Sequence, residues 1–116
     1  MYDPYEHARE LGLRIEEGRI RTANALLIPE KHLILVRPKL PAVHRRATIA
    51  HEIVHFEKMD VGRAAWQEER ADRIAAQRLI QPADLLRAER MYEHPELIAR
   101  EVGVPTKYLR AWLKAA

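Results

Sequence analysis

The sequence predicts an α+β fold, a small N-terminal antiparallel sheet or hairpin followed by a helical bundle. Three observations carry that expectation. Two short apolar runs, Ala25-Leu26-Leu27-Ile28 and Leu33-Ile34-Leu35-Val36, flank the polar, proline-containing turn Pro29-Glu30-Lys31-His32 and read as a hairpin. From Pro41 onward the apolar pattern becomes helical and stays so. Breaks at Gly62, Pro82, His94-Pro95 and Gly103 then cut this stretch into pieces of helix length.

Each element follows from local chemistry. Asp3-Pro4 reads as an N-cap and first-turn proline opening a short helix through about Leu11, with Gly12 ending it. Leu13-Arg14-Ile15-Glu16 reads as a third strand that stops near Gly18. Helices are expected from Pro41-Ala42 to about Lys58, Ala64 to Gln81, Pro82 to Tyr92, Glu96 to Val102 and Pro105 to Leu113. The 116 residues fit one domain, 1–116.

Composition excludes several classes of function. Hydrophobic residues at 47% and charged residues at 32% describe a globular chain able to bury a core. Twenty Lys+Arg against 17 Asp+Glu leave +3, too little to imply nucleic-acid binding by itself. The absence of cysteine excludes disulfides, thiolate zinc sites, iron–sulfur clusters and cysteine nucleophiles. No apolar run approaches the roughly 20 residues of a membrane span. The segment Met1–His7 lacks the basic and apolar regions of a signal peptide, so the expectation is a cytoplasmic protein without membrane contact.

The informative segment is His51-Glu52-Ile53-Val54-His55, an H-E-x-x-H pattern inside the helix expected over 42–58. Residues i and i+4 lie roughly 40° apart around a helix, so both imidazoles face one point. Glu52 sits beside them, placed to accept a proton from an attacking water without being a ligand. Ala47, Ile49, Ala50, Ile53, Val54 and Phe56 make the rest of this helix apolar. Two imidazoles and a carboxylate on a buried helix need a partner for their polarity, and a cation is the economical one.

A catalytic zinc takes three protein ligands and an open position. Taking Glu68 as zero and about 100° per residue, Asp72 falls near 40°, Ala75 near 340° and Leu79 near 20°. Both carboxylates share the inward stripe, while Glu69, Arg70, Arg73 and Gln77 fall on the solvated side. Glu68 is therefore the expected third ligand. Asp72 is expected to accept the second N–H of a ligand histidine, His51, and so to fix its tautomer.

Taken together, His51-Glu52-Ile53-Val54-His55 and Glu68-Glu69-Arg70-Ala71-Asp72-Arg73-Ile74-Ala75-Ala76 resemble the ImmA/IrrE family of bacterial and phage metallopeptidases. Its pattern is H-E-x-x-H, then E-x-x-A-[N/D]-x-hydrophobic-A-A, then apolar residues and a proline, here Leu79, Ile80 and Pro82. Gln81 departs from it, standing before Pro82 where the family has L-M-P. The resemblance implies a zincin-like fold and Zn²⁺ held by His51, His55 and Glu68, with Glu52 as the base. It also implies a protein substrate, a DNA-binding repressor of helix-turn-helix type whose cleavage lifts repression of a mobile element or stress response.

The remaining histidines, His7, His32, His44 and His94, fall outside the constellation. Trp66 reads as packing the loop before Glu68. Tyr5, Tyr92, Tyr108 and several arginines are each able to donate to an oxyanion, and the sequence does not choose among them. Segment 96–113 supplies the rival reading: a DNA-binding or regulatory protein using a helix-turn-helix, with a structural or vestigial metal site. Only Lys107, Arg110 and Lys114 charge its second helix. The favoured reading is a hairpin that closes the bundle on Leu97, Ile98, Val102, Val104, Leu109 and Leu113, without direct nucleic-acid binding.

Overall fold

Alternation along Leu33–Val36 puts Ile34 and Val36 wholly inside, and this strand is the centre of the sheet. The structure, a computed structural model, describes residues 1–115. Its elements run α1 (Pro4–Glu10), β1 (Arg14–Glu17), β2 (Ala25–Ile28), β3 (Leu33–Val36), α2 (Ala42–Lys58), α3 (Ala65–Leu79), α4 (Pro82–Met91), α5 (Pro95–Val102) and α6 (Thr106–Ala115). The α+β architecture is as expected. Among the described residues, no helix is long and apolar enough to cross a membrane.

The sheet departs from the expectation in one respect: it is mixed, not antiparallel. Its order is β1-β3-β2, with β2 antiparallel to β3 and β1 parallel to it. The short connection from β2 occupies one edge of β3 and leaves β1 only the other. Segment 18–24 therefore passes over the end of β3. Arg37 pins it there, its N–H donating to Asn24 O at 2.8 Å and its guanidinium to Ile20 O at 3.3 Å. Gly18 lies so close to β3 that a Cβ would stand 2.7 Å from Leu35 Cδ1. A side chain there would have to displace the Leu35 side chain.

Two cores meet along α2. Ile49 and Ile53 pack on the sheet with Ala8, Leu13, Ala25, Ile34 and Val36. Ala47, Ala50 and Val54 pack on α3, whose Ala71, Ala75 and Ala76 are fully buried. These small side chains let the two backbones approach, which brings the polar residues of α3 within reach of those on α2.

The C-terminal pair closes the bundle, as favoured above, with a different set of side chains. Leu109 and Tyr108 of α6 and Val104 before it are buried, with Trp112 packed against them. Leu97 and Leu113, expected in the core, are exposed, Leu113 by 50%. Tyr108 and Trp112 join the core where the sequence pattern had placed Leu113. Leu109→Ala is expected to cost about 2–5 kcal/mol of stability and Leu113→Ala within about 0.5 kcal/mol, read by urea unfolding. Equal losses would mean that α6 is rotated about its axis.

Candidate metal centre

Helix α2 positions His51, Glu52 and His55, all buried and close enough together to hold a metal ion. Its end positions a fourth residue. Met59 adopts φ 53°, the left-handed conformation that stops a helix, and the chain turns back so that Asp60 N–H donates to His55 O at 3.1 Å. The Asp60 carboxylate then meets His55 Nδ1 at 2.8 Å. Across the cleft, Asp72 Oδ1 meets His51 Nδ1, also at 2.8 Å. Burial alone would raise the Asp60 carboxyl, but hydrogen bonds from His55 and Arg70 outweigh it and hold it low. Asp72 is likewise held low against burial, by His51 and by Lys107 at 3.6 Å.

Each imidazole thus sets Nδ1 against a carboxylate and turns Nε2 toward the other histidine. The two Nε2 atoms stand 3.1 Å apart. Glu68 closes the triangle from α3, with Oε2 3.2 Å from His51 Nε2 and Oε1 2.9 Å from His55 Nε2. The two Nε2 atoms and the Glu68 carboxylate thus converge on one point, a set of ligand atoms suited to a cation. A tetrahedral zinc with ligands at about 2.0–2.1 Å sets its ligand atoms roughly 3.3 Å apart, close to these separations. Glu52 does not fit that shell: its nearer oxygen lies 4.0 Å from His51 Nε2, set to one side.

The structure brings together all five residues expected from the sequence: His51, Glu52, His55, Glu68 and Asp72. Glu69 is exposed, as the helix phase required. Arg70 corrects the expectation, because it folds back from the solvated side to hydrogen-bond Asp60. Trp66 is corrected too. It does not pack the loop but is 60% exposed, with the Arg70 guanidinium 5.0 Å over its ring.

Sequence reasoning missed the roles of Asp60 and Arg63 and left Tyr108 undecided among several donors. Asp60 is a lone acid just past a helix end, and only the turn at Met59 aims it. Arg63, in the loop before α3, donates to Glu52 Oε1 at 2.5 Å and to Glu68 Oε1 at 3.1 Å, joining the two carboxylates. Burial acts to raise the Glu68 carboxyl, but the neighbouring His51 and then this contact with Arg63 hold it low. Tyr108, one of three candidate tyrosines, comes in from α6 to line the same cleft of about 220 Å³ with His51, Glu52, Arg63 and Glu68. Burial first, and then the charges of Asp72, Glu52 and Glu68, push its hydroxyl pKa far up, so it stays protonated as a donor.

Asp60→Asn removes the charge that orients His55 and is expected to weaken metal affinity by about 10–100-fold. A competition titration against a chromophoric chelator measures this. An unchanged affinity would reduce Asp60 to a helix-end contact.

No curated protein matches the chain at a significant level. A family match does cover it, over residues 7–114, which take in every element that lines the cleft. That family is described as the IrrE N-terminal-like domain and is a family of peptidases, and the chain belongs to it.

Proposed function

We propose that this protein is a zinc-dependent endopeptidase, with His51, His55 and Glu68 as metal ligands and Glu52 as general base. The observation that carries the reading is the convergence of three acceptor groups beside a buried carboxylate in an open cleft. Three protein donors and an accessible fourth direction suit catalysis, whereas a structural zinc takes four protein ligands.

Zinc, when bound, polarises the scissile carbonyl and activates the attacking water. Glu52 accepts the proton from that water and returns it to the departing amine. Arg63 holds Glu52 in place at 2.5 Å. Asp72 and Asp60 fix the tautomers of His51 and His55. The Tyr108 hydroxyl donates to the carbonyl oxygen as negative charge develops there.

For the substrate we infer a cytoplasmic DNA-binding repressor of helix-turn-helix type, serving a phage or other mobile element. The support is the motif resemblance and the family. The test is incubation of the zinc-loaded protein with the repressor encoded beside its gene, followed by mass spectrometry of the products. A single internal cut that a chelator abolishes is the expected result. An intact repressor overturns that substrate. Failure to cut a panel of unfolded proteins as well overturns the peptidase reading.

A further inference from the structure

Helix α6, Thr106–Ala115, contains no acidic residue. Lys107, Arg110 and Lys114 fall at i, i+3 and i+7, within about 60° of one another around its axis. Arg73 faces this stripe from α3. Together they line a groove of about 600 Å³ whose other walls are Glu69, Asp72, Ala111 and Ala115. The two alanines add little bulk to the lining and leave room between the helices.

The charges in this groove are not balanced from within. Among the described residues, Arg73, Arg110 and Lys114 form no ion pair. Asp72 is already engaged by His51 and Lys107. Glu69 is the one acid left to face three unengaged cations. The groove also adjoins the metal centre: Asp72 and Lys107 line it, Lys107 lines the cleft as well, and Asp72 holds the ligand histidine.

We propose that the groove between α3 and α6 is a docking site for an acidic segment of the protein substrate, holding it while the neighbouring backbone enters the cleft. Guanidinium groups on both walls suit side-chain carboxylates, which they can bind bidentately. A concave slot between two helices suits an extended peptide better than a nucleic-acid duplex, which needs a wide basic face. Its purpose as a substrate site rests on the peptidase reading, but its capacity to bind does not.

The test is fluorescence anisotropy with a labelled octaglutamate peptide, an octaglutamine peptide and a short DNA duplex, using the full chain as purified. Octaglutamate is expected to bind and octaglutamine not. Arg73→Ala/Arg110→Ala/Lys114→Ala should weaken octaglutamate binding at least about tenfold. Lys31→Ala/Arg90→Ala/Arg100→Ala, which removes equal charge from exposed positions elsewhere, should leave it nearly unchanged. Glu69→Ala should tighten it. All these positions are exposed, and a melting curve of each variant checks folding.

Equal loss in the two triple variants, or no octaglutamate binding, overturns the proposal. Tighter binding of the duplex, lost in the groove variant, overturns it in favour of nucleic acid. The measurement needs no cleavage. A protein that binds octaglutamate as described and cuts nothing would lose the peptidase reading while the docking groove stood.

Discussion

Glu52→Gln is expected to keep the metal and to lower the cleavage rate by about 10²–10⁴-fold, the span typical of losing a general base. The amide is nearly isosteric with the carboxylate and retains an oxygen for Arg63, so the buried pocket is refilled without a cavity. It has no basic oxygen to take the water's proton. The choice of substitution matters at this position. Glu52 is 3% exposed and hydrogen-bonded to a guanidinium, so alanine would leave a void and an unpaired Arg63. Elemental analysis and a peptide-cleavage assay on the same preparation read both halves of the expectation. Equal rates in wild type and variant would place the activity in another protein of the preparation or in another residue of this one.

The parts of the site legible in the sequence were those governed by one helix at a time. The H-E-x-x-H spacing fixes His51 and His55 on one face of α2. The phase of α3 separates Glu68 and Asp72 from Glu69 without any knowledge of the neighbouring helix. Asp60, Arg63 and Tyr108 depend on how elements meet. Asp60 is aimed by a left-handed residue at Met59, a conformation that methionine does not advertise. Arg63 lies in a loop whose path is set by both helices it joins. Tyr108 reaches the cleft only because α6 returns across α3, and three tyrosines and several arginines looked alike until that packing was known. The parallel pairing of β1 has a similar origin. Its residues show that a strand is there, but the edge left vacant by β2 decides its place and the short 18–24 crossing decides its direction. Leu113 shows the converse error, an apolar residue at plausible helical spacing whose place in the core is filled by two aromatics.

Glu68→Ala is expected to weaken zinc binding by more than the about 10–100-fold expected for losing an outer carboxylate such as Asp60, and Glu69→Ala to leave it unchanged. The two glutamates are adjacent, with the same helix propensity and the same formal charge. They differ by roughly 100° around α3. That rotation puts the Glu68 oxygens 3.2 and 2.9 Å from the two Nε2 atoms and leaves Glu69 exposed beside the basic groove. Removing Glu68 takes away one of three donors and frees Arg63 from one of its two carboxylates. It thus removes negative charge from the centre while the Arg63 guanidinium, still paired with Glu52, stays beside it, which disfavours a cation there. Removing Glu69 does neither. Parallel chelator titrations of the two variants decide the matter. If Glu69→Ala proved the more damaging, the phase of α3 would be wrong, and Asp72 would lose its place behind His51 with it.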